Sequence, residues 1–351
     1  MTLDSQAVDQ AFQEAIEKKT FSGAQVLIGI GKKSLFSACY GRHSFESADR
    51  EVQEDSLFDV ASLTKPLVTA TLALKALESQ EFSLDQPVRD FFPQFVRKDE
   101  ILLFHLLAHT SGLPAWLPLY KEVPFQGPSY ENVQDRFIEE IHQVNLESRV
   151  GEKRIYSDLG FILLGFILEK VTGRRLDQLF RQHISEQLSM RDSFFNPLGH
   201  SVAEELMVVS GYSHDRKKIL RGRVHDENAS SLGGIAGHAG LFSNTRDIEK
   251  FVHDFWGHWR EDASKKFFGP GVFPKLGWDT VSQPKSQAGT HFSEGSFGHL
   301  AFTGCSQWLD PVDKKYVILL TNRTLSEGPE SAIKEFRPKI HDLLIKHFLQ
   351  R

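Results

Sequence analysis

Phe58-Asp59-Val60-Ala61-Ser62-Leu63-Thr64-Lys65-Pro66, running on through Leu67 to Ser79, is the stretch that decides the fold. Its first residues are extended in character. From Ser62 onward the segment is rich in Ala, Leu and Thr with apolar residues spaced near 3.6, so a helix begins at the serine. Pro66 fits that boundary, because the first turn of a helix tolerates a missing N–H. Upstream, residues 6–17 pattern as an amphipathic helix, and residues 23–31 (GAQVLIGIG) and 34–41 (SLFSACYG) as a strand pair turning at Gly31-Lys32-Lys33. Downstream comes a long helical and loop-rich middle, including a helix expected over 159–171, in which β signals are sparse. Strands return in FGHLAFTG, SQWLD and KYVILLTN, before a final amphipathic helix over 331–348.

This order predicts an α/β (α+β) chain with an antiparallel sheet built from both chain ends and flanked by helices, plus a mainly helical lobe. Residues 1–60 and 285–351 are assigned to the sheet lobe and 61–284 to the helical lobe, with a cleft between them as the natural site.

The 351 residues carry 41 basic and 46 acidic side chains, for a formal charge of −5, and no basic block, so nucleic acid is excluded as a partner. Cys39 and Cys305 lie far apart without metal-ligand spacing, and read as packed residues. No apolar run approaches the ~18 residues needed to insert in a membrane. No export signal is legible, so the sequence as it stands reads as cytoplasmic, or as periplasmic or secreted if a leader has been removed.

Ser62 and Lys65 lie at i and i+3, on one helix face. A serine hydroxyl attacks only when a base takes its proton, and lysine is such a base once burial or its neighbours lower its pKa. The helix start also favours developing negative charge. A helix cap with a solvated lysine one turn on is the alternative reading. The spacing recurs at Ser282/Lys285, in a Pro/Gly/Gln loop, and at Ser331/Lys334, where a cap suffices. Tyr156-Ser157-Asp158, just before LGFILLGFILEKVTG, offers a phenol for proton transfer, with Asp158 also readable as a plain cap. Tyr130-Glu131-Asn132 is the rival, placed beside a charged helix. His105 and His109 at i, i+4 have metal-ligand spacing but no third ligand in pattern, and read as packing or caps.

Taken in order, FDVASLTKPLVT, LLFHLLAHTSGLP, YSDLGFILLG, VHDENA, LGGIAGHAGLFS and FGHLAFTGCSQWLDP resemble the serine β-lactamase and penicillin-recognising superfamily, in its class C, esterase and D-alanyl-D-alanine peptidase-like branch, over roughly residues 10–350. The resemblance implies a β-lactamase/transpeptidase-like fold, Ser62 as nucleophile, Lys65 as its base partner and Tyr156 as second acid/base. It also places Asp158 where Asn is usual, and the N–H groups of Ser62 and Phe302 at the oxyanion. The third motif departs from the family: His299-Leu300-Ala301 stands for Lys-Thr-Gly or His-x-Gly. That removes the hydroxyl that grips a carboxylate and adds a methyl where substrate approaches the strand. A carboxylate at 158 would favour the ammonium form of Lys65, leaving Tyr156 to share the base role. His225, Asn228, His238 and Trp116 are candidate cleft-lining residues, with Tyr120 and Phe125 beside Trp116 as an apolar wall.

The implied activity is hydrolysis of an ester or amide in a small-molecule or peptide-like substrate through an acyl-enzyme on Ser62, esterase-like or D-Ala peptidase-like, with no cofactor and no metal. β-Lactamase action is the alternative, and a catalytically weak module binding cell-wall fragments is the alternative of another class. Oligomeric state is not legible.

Overall fold

The computed structural model describes residues 5–349 apart from 99, 124–129, 201, 259–274, 283–284, 327 and 330. In chain order its strands are β1 (Gly23–Ile30), β2 (Lys33–Gly41), β3 (Phe58–Asp59), β4 (Phe194–Phe195), β5 (Val209–Ser213), β6 (Lys218–Arg221), β7 (Leu241–Ser243), β8 (Asp279–Thr280), β9 (Phe297–Leu300), β10 (Ser306–Leu309) and β11 (Lys315–Thr321). Six of them form one antiparallel sheet in the order β2-β1-β11-β10-β9-β8, so the two ends of the chain meet at the β1–β11 pair.

The register explains why β1 and β11 read as unbroken apolar runs. Val26 lies opposite Leu319 and Ile28 opposite Val317. These four pack with Val8 and Phe12 of the first helix, Gln6–Glu17, and with Phe336, Ile340 and Leu344 of the last, Ser331–Phe348. Leu27, opposite Ile318, points to the other face and into the larger core formed by the middle of the chain. A strand covered on both faces has no polar side to alternate with.

That larger core is organised around the helix Asp158–Thr172, in which every residue from Leu159 to Leu168 is buried. It is apolar all round because it has protein on all sides. The segment Gly237-His238 is threaded between this helix and the turn Lys65–Ala70, which is π-helical and lies between a 3₁₀ turn, Ala61–Leu63, and the α-helix Thr71–Glu78. Thr69 Oγ1 donates to Gly237 O at 2.6 Å. A Cβ on Gly237 would stand 2.0 Å from Phe161 O and 3.0 Å from the backbone N of Gly165. Backbone is touching backbone there, so Gly237→Ala is expected to destabilise by on the order of 3 kcal/mol, read as a lower midpoint in urea with unchanged slope.

Two features differ from the reading of the sequence. The middle of the chain holds two small sheets, β3-β7-β4 and the β5–β6 hairpin. Their strands are two to five residues long, too short for a period-2 pattern to register. β8 joins the edge of the large sheet ahead of the boundary expected at 285, because Asp279 and Thr280 pair with Gly298 and Phe297.

Candidate active site

β3 carries the chain into the site. Phe58 and Asp59 pair with Ser243 and Phe242 of β7, and Val60 N–H donates to Leu241 O at 3.0 Å. Asp59, buried, then accepts from Ala61 N–H at 2.9 Å and from His225 N–H at 2.7 Å. Burial pushes its pKa up to about 6, with the two N–H bonds opposing the rise. Ala61 is held at φ +43°, a left-handed conformation that costs on the order of 1 kcal/mol for a residue with a Cβ. This bend presents Ser62 to a cavity of about 710 Å³ that it lines together with Trp116, Arg154, Tyr156, His299 and Phe302.

Lys65 is wholly buried, and its Nζ meets Ser62 Oγ at 3.1 Å, His238 O at 3.1 Å and Asp158 Oδ1 at 2.6 Å. Burial lowers its pKa, but the carboxylate of Asp158 and the neighbouring Tyr156 outweigh burial, and the net direction is upward. Lys65 therefore rests as the ammonium. The ring of Tyr156 turns 38% of the residue's surface to the cavity, while its hydroxyl lies in hydrogen-bonding reach of Ser62 and Lys65. Burial of that hydroxyl raises its pKa against the pull of Lys65, with the Asp158 carboxylate adding to the rise, so Tyr156 rests as the phenol.

His109 explains how Tyr156 is held. Its carbonyl accepts from Ile155 N–H at 2.8 Å and its Nδ1 from Ser157 N–H at 3.0 Å, while Asp158 N–H donates to Ala115 O at 2.8 Å. Its ring stacks on Phe161 with centroids 5.0 Å apart and lies 4.7 Å from the Tyr156 ring. Burial drives the His109 pKa well below its usual value, so the imidazole is neutral and free to accept at Nδ1. His105 caps its own helix start, accepting from Leu102 N–H at Nδ1. Among the described residues no cluster of three metal-ligating side chains occurs.

The opposite wall is the end of β9. His299 is buried, and its Nδ1 lies 2.8 Å from Leu300 O. A carbonyl only accepts, so Nδ1 carries the proton and Nε2 is an acceptor. Burial first, and the charge of Lys65 second, lower its pKa to about 3. His299 is thus a neutral acceptor and supplies no cation. Phe302 follows on the loop after β9; among the described residues neither its N–H nor that of Ser62 has a protein acceptor.

Two candidate lining residues are corrected. Asn228 is fully buried away from the cavity, donating to Leu117 O at 2.8 Å and accepting from Tyr120 N–H at 3.0 Å, so it braces the loop behind Trp116. His238 is buried as well; its carbonyl holds Lys65 and its Nε2 lies 2.9 Å from Asp226. Trp116 and His225 do line the cavity, Trp116 with 46% of its surface exposed. Tyr120 instead donates its hydroxyl to Asp215, and Phe125 lies outside the described residues. Tyr130 is far from Ser62 in contacts, bonded to Glu169 with Arg175 over its ring. Ser282, Lys285, Ser331 and Lys334 are all exposed, in contrast to buried Lys65.

Arg154 and Asp279 escaped the sequence reading. They pair at 3.3 Å on the cavity wall, and among the described residues Arg154 is the only Lys or Arg that lines it. Arg154 sits two residues before Tyr156, and that adjacency was the one signal available.

The family described as Beta-lactamase matches residues 8–339. An N-acetylmuramyl-L-alanine amidase of Bacillus subtilis (strain 168) is 30% identical, covering 90% of this chain and 80% of its own length. A putative D-alanyl-D-alanine carboxypeptidase of Escherichia coli (strain K12) is 31% identical over 76% of this chain and 69% of its own. Among solved structures, a class C β-lactamase superposes with a TM-score of 0.73 at 20% identity, covering 97% of this chain and 96% of its own, and so shares the fold. With the site geometry above, these matches make the chain a member of the Beta-lactamase family of serine hydrolases.

Proposed function

We propose that the protein hydrolyses an amide or ester through an acyl-enzyme on Ser62, and that its substrate is a muramyl-peptide type amide whose leaving group is not recognised by a terminal carboxylate at β9. The carrying observation is the state of His299-Leu300: a neutral imidazole donating to its own strand, followed by a side chain without a hydroxyl. A terminal carboxylate has no donor there, whereas a bulky neutral acyl group fits a cavity of about 710 Å³ with Trp116 at its edge. The relative named as an N-acetylmuramyl-L-alanine amidase supports the same substrate class.

Ser62 Oγ attacks the carbonyl carbon and passes its proton to Lys65, which hands one of its own to Asp158 across the 2.6 Å contact. The oxyanion is received by the N–H groups of Ser62 and Phe302. As the C–N bond breaks, Tyr156 protonates the leaving nitrogen and is reprotonated from Asp158 through Lys65. Water then repeats the sequence on the ester of Ser62.

A second reading, cleavage of a terminal D-alanine, is favoured by Arg154, whose guanidinium could take the carboxylate that β9 cannot. Incubation with N-acetylmuramyl-L-alanyl peptide and with a peptide ending in D-Ala-D-Ala decides between them. The first reading predicts release of the peptide's L-alanyl amine and at least about tenfold slower release of D-alanine, a preference of about 1.4 kcal/mol or more. Release of D-alanine with the muramyl amide intact would overturn it in favour of the second.

A further inference from the structure

The C-terminal helix Ser331–Phe348 lies far in sequence from Ser62, yet Arg337 on that helix reaches the loop that carries the Phe302 N–H. Arg337 is buried, and its guanidinium donates to Gly304 O through Nε at 3.0 Å, to Ala301 O through Nη2 at 2.7 Å, and to Cys305 O at 3.4 Å. A second arginine acts from the other side: Arg323 Nε donates to Phe302 O at 2.7 Å, and its guanidinium lies 4.2 Å from the centroid of the Phe302 ring. Thr321 Oγ1 and Arg323 N–H hold Thr303 O, both at 3.0 Å. Every carbonyl from Ala301 to Cys305 is therefore bound, and the loop is fixed by donors of fixed geometry.

We infer that Arg337 is a positioning residue for catalysis, which orients and polarises the Ala301–Phe302 peptide group so that the Phe302 N–H becomes a stronger oxyanion donor. This inference rests on the acyl-Ser62 reading above. The physical point is which carbonyl is held. Ala301 O belongs to the same planar amide as Phe302 N–H, and a charge-assisted bond at the oxygen of an amide draws electron density from its nitrogen. Hydrogen bonds chained through one peptide group strengthen each other in this way. A buried guanidinium is expensive in stability terms, and a loop needing only a brace is served by neutral donors. A cation aimed at this amide meets a need that arises in the transition state, when negative charge appears on the far side of the N–H.

The test uses the full-length enzyme with p-nitrophenyl butyrate as substrate and phenylboronic acid as a tetrahedral adduct former on serine. Arg337→Gln is expected to lower kcat by about 100-fold, the low end for loss of an oxyanion donor, with KM within about threefold. Phenylboronic acid affinity should fall in parallel with kcat. Arg337→Lys, which keeps the charge on a long stem, should recover about tenfold of both losses. Wild-type kcat and boronate affinity in a folded Arg337→Gln enzyme overturn the inference, as do equal losses in the Gln and Lys variants. Should Arg337→Gln not fold, Arg337→Lys decides alone: kcat and boronate affinity about tenfold below wild type with KM held support the inference, and wild-type values overturn it. A wild-type enzyme that takes neither ester nor boronate fails the acyl-serine reading itself, which is a distinct result.

Discussion

Ser62→Ala is expected to lower kcat by about 10⁵–10⁶-fold while leaving the protein folded and able to bind substrate. The loss is large because Lys65 and Tyr156 act on the Ser62 oxygen, and neither they nor the two oxyanion N–H groups can carry the acyl group in its place. The fold should hardly notice. Lys65 keeps His238 O and Asp158 as partners when the hydroxyl is removed, so no buried charge is orphaned and the change in stability stays near or below about 1 kcal/mol. Activity within tenfold of wild type would return Ser62 to the role of a helix cap.

Asp158→Asn should have the second largest effect, about 100-fold in kcat/KM at pH 7, together with a changed pH profile. In the wild type the Asp158 carboxylate, together with Tyr156, outweighs burial and holds the Lys65 pKa above its usual value. Asparagine removes the largest upward influence and leaves burial, so the Lys65 pKa falls and the free amine forms at lower pH. The variant should therefore gain rate steeply through the mildly alkaline range, where the wild type, with Asp158 able to take the proton at once, changes less. Stability follows the same sign. A raised lysine pKa contributes fully below about 10.4 and is lost as pH rises through the folded value, so the pair stabilises the wild type at neutral pH. Losing one partner of a buried pair costs about 3–5 kcal/mol if the other stays charged, and less here because Lys65 can shed its proton. A pH–rate profile for Asp158→Asn that overlays the wild type contradicts the relay.

Much of this architecture was legible in the sequence, for identifiable reasons. β1, β11 and the helices at both ends are long enough for their apolar patterns to speak, and the helix Asp158–Thr172 is apolar on every side. Ser62, Lys65 and Tyr156 stood out because several ordered motifs agreed, the i, i+3 spacing alone being shared with the exposed pairs at 282 and 331. What stayed hidden is set by contacts across large sequence separations. Burial is not written in residue type, so Asn228 and His238 looked like lining residues although one braces a loop and the other holds Lys65 by its backbone. The protonation of His299 depends on burial and on a 2.8 Å bond to its neighbour's carbonyl, neither of which the letters disclose. Arg337 lies 36 positions from the carbonyl of Ala301, on a helix whose pattern announces only packing. The π-helical turn at Lys65–Ala70 leaves no signature either, since its residues would also suit an α-helix.

The whole mechanism turns on acylation of Ser62. Intact-mass analysis after exposure to a fluorophosphonate, followed by peptide mapping, tests it directly. One phosphonyl group per chain, located on Ser62 and absent from Ser62→Ala, is the predicted result; no adduct, or an adduct on another residue that survives in Ser62→Ala, contradicts it.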